Sequence, residues 1–160
     1  MQQAFLQTPL GTAIIEGDEN GVSRISITDG DGNATENHDK TPYVLAEAVN
    51  QLKAYFDGKL NTFSFKLNPE GTDFQKRVWD ALLKIPYGKT TSYQELSVQL
   101  GDVKAIRAVA SANGKNPLWI VVPCHRVIGS DGSLTGYAGG LWRKKWLLEH
   151  ETPPVQQSLF

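Results

Sequence analysis

Residues 92–113 read SYQELSVQLGDVKAIRAVASAN, and this stretch decides the fold of the second half of the chain. Ser92 and Glu95 are spaced as a capping box, in which the serine accepts an amide hydrogen bond and the glutamate reaches back. A helix is therefore predicted from Ser92 to about Leu100, and a second over residues 103–113 after a turn at Gly101. This arrangement is typical of a helix-turn-helix, although two helices that only pack together show the same pattern.

The second predicted helix has an almost bare outer face. Three apolar residues are predicted to point inward: Ile106, Val109 and Ala110. The other face carries small side chains and one cation: Arg107, Ala108, Ser111 and Ala112. Helices that read the major groove usually present several long polar side chains, whereas a smooth face with one arginine suits the narrower minor groove. The same face is equally compatible with a helix that packs closely on a neighbour.

The chain upstream is predicted to hold one more helix of this second domain. Residues 68–71, Asn-Pro-Glu-Gly, mark the predicted boundary between an N-terminal domain of residues 1–70 and a C-terminal domain of residues 71–160. After the boundary, Thr72 or Asp73 can cap a helix that ends at Pro86-Tyr87-Gly88. Its buried stripe is predicted to comprise Phe74, Val78, Leu82 and Ile85.

Residues 1–70 have the alternation and turn residues of a small antiparallel meander. Strands are predicted over residues 3–8, 12–16 and 22–28, followed by a polar loop over residues 29–39. A helix is predicted next, with Thr41 as N-cap, Pro42 at its first position and Gly58 just past its end. Residues 60–67 are predicted to form a further short strand. The fold class is therefore α+β, with a small α/β domain of antiparallel strands before a mostly helical domain.

Composition restricts the class of protein. One cysteine in 160 residues excludes an internal disulfide and any zinc site that needs two thiolates, and it fits a reducing compartment. No apolar run is long enough to span a bilayer, and the N-terminus lacks a signal-peptide pattern, so a cytoplasmic protein is predicted. Residues 1–71 hold five Lys/Arg and ten Asp/Glu, whereas residues 72–160 hold eleven and seven. This asymmetry favours a polyanionic partner for the second half only.

The single cysteine lies in a segment suited to reactivity. An apolar run, Trp119-Ile120-Val121-Val122, is predicted to be buried and leads to Pro123-Cys124-His125-Arg126. A lone cysteine is most often an inert small hydrophobe. Here the histidine and arginine that follow can both favour the thiolate. In a strand, His125 would point away from Cys124, so it could reach the thiol only through a turn or a bridging water.

Chemistry narrows what this thiol could do without deciding it. A redox enzyme would use a second, resolving cysteine, which the chain lacks. A cysteine hydrolase would use Cys124, His125 and Glu151 on small substrates. A sulfur that attacks an alkyl carbon would instead form a stable thioether, and such a protein would act once.

Taken together, these residues resemble the O6-alkylguanine-DNA alkyltransferases, also called methylated-DNA–protein-cysteine methyltransferases. The family's active-site signature, Pro-Cys-His-Arg-Val, is intact at residues 123–127. Arg107-Ala108-Val109 with Asn116-Pro117, Ser92-Tyr93-Gln94, and the closing run Trp146-Leu147-Leu148-Glu149-His150-Glu151 match three further blocks in the right order. The resemblance is strong from about Phe74 to Glu151. It implies a ribonuclease H-like N-terminal domain.

The resemblance implies a catalytic role for four residues. Cys124 would accept the alkyl group from O6-alkylguanine, and also from O4-alkylthymine, in a single turnover. His125 would draw the thiol proton through a water, and Glu151 would stabilise the imidazolium. Asn116 would brace the segment around the cysteine.

The resemblance also implies contacts to substrate and DNA. Tyr93 would sit beside the extruded guanine and donate to its leaving oxygen or turn the phosphate, and Arg107 would fill the vacated base stack. Tyr137 would cover the base, the backbone amide of Ala138 would donate, and Lys144 would tune the Tyr137 phenol. Ala108 and Ser111 would complete the minor-groove contact to double-stranded DNA. No cofactor or metal is implied, and a monomer is expected.

Two positions depart from the family pattern. Many members have serine at the position of Ala138 and a bulkier apolar residue at that of Asn113, so the alkyl groups admitted can differ. A related group that only senses lesions lacks the cysteine. A lesion-sensing DNA-binding module with an idle thiol is therefore the main rival function.

The C-terminal tail suggests a second partner. Pro153 and Pro154 are predicted to end the last helix and project an extended tail, and most such tails simply fray. Its last residues, Gln156-Gln157-Ser158-Leu159-Phe160, resemble the short peptide by which bacterial replication and repair proteins bind the sliding clamp. Gln157 stands at the position of that motif's usual leucine.

Overall fold

A computed structural model describes residues 1–29, 41–132, 137 and 140–152. It divides into two compact units, one of Met1–Glu70 with Pro117–Trp119, and one of Gly71–Asn116 with the described chain from Ile120 onward. Across the described residues, no helix combines the length and apolar character needed to cross a bilayer.

The first unit is a three-stranded antiparallel sheet with one helix, and the predicted meander is confirmed. Its strands follow one another in the order β1 (Gln2–Thr8), β2 (Gly11–Asp18) and β3 (Gly21–Thr28). The helix α1 (Tyr43–Phe56) packs on this sheet and buries Leu45, Ala48 and Leu52. The predicted loop over residues 29–39 lies outside the described residues except for Asp29.

The predicted start of α1 is wrong by one residue. Pro42, not Thr41, is the N-cap, because its ψ of 143° is extended and its carbonyl accepts from the Leu45 amide. The extended backbone typical of an N-cap falls at Pro42, so the helix begins at Tyr43 and Thr41 lies one residue before the cap. The end is as predicted, since Asp57 is the C-cap and Gly58 follows with a φ of +75°.

The predicted strand over residues 60–67 does not form. All of these residues are described, and only Leu67 pairs, in an isolated parallel bridge to Val22. Further along β3, Ile25 instead bonds the returning segment, through its amide to the Pro117 carbonyl (2.8 Å) and its carbonyl to the Trp119 amide (3.1 Å). Because two distant segments share this edge of β3, neither extends into a ladder.

The second unit is mostly helical, as predicted. Its helices are α2 (Asp73–Leu82), α3 (Tyr93–Gln99), α4 (Ile106–Gly114) and α5 (Leu141–Glu151). Thr72 caps α2 in a complete capping box with Gln75. Within the described part of this unit, the only strands are the two-residue β4 (Thr91–Ser92) and β5 (Val127–Ile128), which pair in parallel.

The helix-turn-helix differs from expectation in its second helix. A 3₁₀ turn at Val103–Ala105 precedes α4, which begins at Ile106 instead of Val103. The buried face of α4 is Val109, Ala112 and Asn113, whereas Ile106 and Ala110 are exposed. The predicted inward positions of Ile106 and Ala110 and the outward position of Ala112 are therefore wrong. The shorter helix buries residues i, i+3 and i+4 counted from Val109, a face rotated from the predicted one. Trp79 stabilises this orientation by donating from Nε1 to the Ala112 carbonyl (2.9 Å).

The capping residues of α3 also depart in one detail. Ser92 Oγ accepts from the Glu95 amide (3.0 Å), as expected for an N-cap. The Glu95 carboxylate accepts from the Ser92 hydroxyl (3.3 Å), which replaces the predicted bond to the cap backbone. Since Ser92 also belongs to β4, the start of the helix-turn-helix is tied directly to β5, the strand that follows the cysteine segment.

Candidate active site

The cysteine segment turns instead of running on as a strand. Ile120 has a φ of +70°, a backbone conformation that a β-branched residue adopts only under strain, and its burial holds it there. Residues Cys124–Arg126 then form a 3₁₀ turn, closed by a bond from the Arg126 amide to the Pro123 carbonyl (3.0 Å). A turn is one of the two arrangements, with a bridging water as the other, in which the adjacent His125 could reach the Cys124 thiol.

Cys124 is a buried thiol among polar groups, with 8% of its surface exposed. Asn116 donates from Nδ2 to the Val122 carbonyl (2.7 Å), so it ties the end of α4 to the chain just before the cysteine. Burial raises the pKa of the Cys124 thiol, and this outweighs the Asn116 amide and the Lys144 ammonium, which both lower it. The thiol therefore needs help to lose its proton near neutral pH.

The neighbouring His125 is completely buried and bonded to a carboxylate. Its Nε2 lies 2.8 Å from Glu151 Oε2. Burial lowers the pKa of His125 and outweighs the opposing effect of Glu151, so the imidazole is neutral and able to accept a proton. No group among the described residues bonds its other ring nitrogen, Nδ1, which leaves Nδ1 for a proton that comes from outside the pair.

Glu151 is the last residue of α5 and is shared by two partners. Arg126 donates from Nε to Oε1 (2.8 Å) and from NH2 to Oε2 (3.0 Å). Burial opposes the charge of Glu151, but His125 and Arg126 together hold the pKa of this carboxyl well below its usual range. The expectation that Arg126 acts on the thiol is thus wrong: the guanidinium faces Glu151, and the cation that acts on the thiol is Lys144.

Lys144 is fully buried on α5, and its positive charge acts on the Cys124 thiol. Burial lowers its pKa to about 8, and the nearby Cys124 opposes this shift. Tyr93 opens α3 and is half-buried, and Tyr137 is half-buried with its carbonyl bonded to the Gly140 amide (2.9 Å). Ala138 lies outside the described residues.

The proposed DNA-contacting residues lie together on the exposed side of α4. Arg107, Ala108 and Ser111 are all exposed, and Ala110 joins them. The outer face thus carries one arginine among small residues, as predicted, but its members differ and the exposed Ile106 borders it. Asn113, at the position where the family pattern is bulkier, is buried, and its Oδ1 bonds no group among the described residues.

Contacts from distant parts of the chain complete the site. The sequence pattern did not predict them. The turn after α2, interpreted only as a helix end, supplies the Ile85 carbonyl to Arg126 NH1 (2.7 Å) and the Tyr87 ring to the guanidinium (Cζ 5.8 Å from the centroid). Nothing in the spacing of residues 85–87 identifies Arg126 as their partner. The arrangement as a whole can remove a proton from a buried thiol and keep the resulting charges compensated.

Two family models cover nearly the whole chain. The description "6-O-methylguanine DNA methyltransferase, ribonuclease-like domain" matches residues 1–69, and "6-O-methylguanine DNA methyltransferase, DNA binding domain" matches residues 73–153.

Individual relatives agree with these models. The methylated-DNA–protein-cysteine methyltransferase of Methanosarcina barkeri is 47% identical over 153 residues, which cover 94% of this chain and 97% of that protein. A protein of the same name from Mycobacterium bovis is 45% identical over 158 residues, 97% of this chain and 96% of the other. The crystal structure of Mycobacterium tuberculosis OGT in complex with DNA superposes with a TM-score of 0.85 at 42% identity and covers 100% of both chains.

Proposed function

Because this chain belongs to the 6-O-methylguanine DNA methyltransferase family and repairs DNA by direct transfer of an alkyl group to a cysteine, we propose that Cys124 is the acceptor and is used once. Cys124 is the one cysteine of the chain. The observation that carries the proposal is the adjacent buried His125–Glu151 pair at 2.8 Å, with a neutral imidazole one residue from the thiol.

The chemical step is a displacement at carbon. The proton on Cys124 Sγ passes through a water to His125 Nδ1, and Glu151 stabilises the imidazolium. The thiolate attacks the alkyl carbon, a new S–C bond forms, and the C–O6 bond breaks with its electron pair on the guanine oxygen. Tyr93 donates a proton to that oxygen, and the imidazolium of His125 releases the thiol proton to water, from which the phenol is restored. The base leaves as ordinary guanine and Cys124 stays as a thioether, so no second cycle follows.

A general base is required because the thiol is harder to ionise than usual. Lys144 stabilises the thiolate once it forms, and Asn116 holds the backbone on which the sulfur sits. Both keep the nucleophile in one position during a reaction that has only one turnover.

Stoichiometry separates this function from its rivals. A duplex with one O6-methylguanine, in excess over protein, is expected to yield one restored guanine per protein molecule, followed by a plateau. Multiple turnover on a small ester would indicate a hydrolase, and absence of any repair with retained binding would indicate a lesion sensor.

The face of α4 supports minor-groove binding to double-stranded DNA. Its exposed Ala108, Ala110 and Ser111 let the backbone approach closely, and Arg107 is the long cation among them. The lesion must leave the stack to reach a thiol that is 8% exposed, and Arg107 fills the gap. Tyr137 and the amide of Ala138 then hold the extruded base, O6-alkylguanine or O4-alkylthymine.

Arg107→Ala is expected to slow transfer from duplex DNA about tenfold or more, yet to leave transfer from a free O6-alkylguanine base nearly unchanged. A free base need not be unstacked, a step worth about a few kcal/mol. The measurement is the single-turnover rate on both substrates. Lys115→Ala removes one charge from the other end of α4 as a matched control. Equal losses on duplex and free base would show that Arg107 shapes the pocket instead.

The sequence of residues 156–160 supports a second contact, with a bacterial sliding clamp. We expect the protein to make this contact as a monomer, in the reducing cytoplasm. Residues 156–160 lie outside the described residues, and the proposal rests on their sequence. Clamp binding in the micromolar range, about −8 kcal/mol, is expected in titration calorimetry. Truncation after Thr152 should abolish it and leave alkyl transfer on short oligonucleotides unchanged. An intact chain that does not bind clamp at high micromolar concentration would refute this contact.

A further inference from the structure

Glu151 occupies an unfavourable place for a negative charge. It is 4% exposed and it ends α5, where the helix dipole already places partial negative charge. The neutral His125 offers it a single hydrogen bond. A carboxylate in this position therefore needs a second, permanently charged partner if it is to stay ionised before the reaction begins.

Arg126 meets that need and is itself fixed. Its Nε and NH2 occupy both oxygens of Glu151, at 2.8 and 3.0 Å, a two-point contact that sets the plane of the carboxylate. Its NH1 donates to the Ile85 carbonyl, and its Cζ lies 5.8 Å from the centroid of the Tyr87 ring. Tyr87 in turn donates from its hydroxyl to the His150 carbonyl (3.3 Å), so the turn after α2 also holds the end of α5.

We propose that Arg126 is a positioning residue for alkyl transfer, which acts through Glu151 to keep His125 oriented and ready to accept the thiol proton. The proposal rests on the proposed function, in which His125 is the base. Arg126 touches neither sulfur nor substrate in this role. Arg126 holds the carboxylate of Glu151, and that carboxylate holds the imidazole of His125. Arg126 directly follows His125 in the chain.

Burial has the largest effect on the pKa of His125, and the charge of Arg126 adds to it. Among the described residues, three charged groups act on His125: Arg126 from its own turn, and Lys144 and Glu151 from α5. Glu151 raises the pKa of His125, whereas Arg126 and Lys144 lower it. Loss of the Arg126 charge therefore raises the pKa of His125 and favours the protonated imidazole, which cannot accept the thiol proton. The acidic limb of the rate profile should move to higher pH.

A double-mutant cycle tests this dependence on Glu151. The single-turnover transfer rate at saturating O6-methylguanine duplex is measured from pH 6 to 9 for Arg126→Met, Glu151→Gln and the double variant. Arg77→Met is the matched control, because Arg77 is an exposed arginine on α2 that bonds the Leu100 carbonyl. If Arg126→Met alone does not fold in a thermal melt, Arg126→Lys takes its place. Because it keeps the charge but loses the two-point contact, it should slow transfer without moving the acidic limb, and an unchanged rate would overturn the proposal.

Arg126→Met is expected to slow transfer about tenfold or more at pH 7 and less at pH 9. In the Glu151→Gln background the same change should add no more than about twofold, because the two residues act as one unit. Equal factors in both backgrounds, or a loss that does not vary with pH, would overturn the proposal for Arg126. A Glu151→Gln variant with the unchanged rate would instead refute the proposed function.

Discussion

Cys124→Ser is expected to abolish alkyl transfer from O6-methylguanine and to leave binding to the alkylated duplex largely intact. Serine fits the space of the buried thiol and accepts the same Asn116 contact, so the fold should persist. Its hydroxyl is far more basic than a thiol, and the site already disfavours charge at this position, since burial raises the pKa of Cys124 itself. A neutral imidazole generates very little free alkoxide, so serine attacks the saturated alkyl carbon far more slowly than a thiolate does.

The measurement for Cys124→Ser pairs a repair assay with a binding titration on the same duplex. A thermal melt controls for folding. Retained binding with no detectable repair is the expected result. Repair at a rate comparable to that of the unaltered chain would show that sulfur is not the acceptor.

Glu151→Gln is expected to slow transfer about 10- to 100-fold at neutral pH. The amide can still accept from His125 Nε2, but it no longer supplies the negative charge that stabilises the imidazolium formed when the thiol gives up its proton. The loss should shrink as the pH rises, because a growing fraction of thiol ionises without a base. This direction follows from a Glu151 pKa well below its usual range, which keeps the carboxylate charged throughout the window.

Glu149→Gln is the matched control for Glu151→Gln. It makes the same change two residues earlier on α5, where Glu149 is a more exposed partner of Lys145 at 3.9 Å. It should leave the rate unchanged at every pH. Glu151→Gln also leaves the buried Arg126 opposite an uncharged partner, which can damage the structure. A loss that stays constant across the pH range would indicate such damage.

Local signals in the sequence predicted the parts of the fold that depend on local chemistry. Thr72 and Ser92 cap α2 and α3 as their side chains indicate, and Gly58 follows α1 with the positive φ that favours glycine. The strand predicted over residues 60–67 failed because a strand also needs a partner. The edge of β3 that would have paired with it is shared with Leu118, which is distant in the chain.

The face of α4 shows a second limit of the sequence pattern. Alanine is apolar enough for either side of a helix, so Ala110 and Ala112 gave no information about which was buried. The answer depends on where the helix starts and on Trp79, which bonds the Ala112 carbonyl from another helix. The nature of the outer face was still predicted, because both choices leave it small with Arg107 exposed.

The candidate site divides in the same way. The contiguous segment from Pro123 to Arg126 predicted a reactive cysteine, and the resemblance to the family linked this cysteine to Glu151. The partners of Arg126 could not be predicted, since its contacts come from three residues distant in the chain, Ile85, Tyr87 and Glu151. Because Arg126 follows Cys124 and His125 in the chain, the sequence suggested that it acts directly on the thiol. The fold instead turns its guanidinium toward the carboxylate of Glu151.

The most direct test of the central claim is the mass of the protein after one reaction. The chain is incubated with a duplex that contains one O6-methylguanine, weighed intact, and digested to locate any added mass. A gain of one methyl group on the peptide that contains Cys124, with the oligonucleotide lighter by the same amount, is the predicted result. An unmodified Cys124 beside a repaired oligonucleotide, or a methyl group on any other residue, would contradict it.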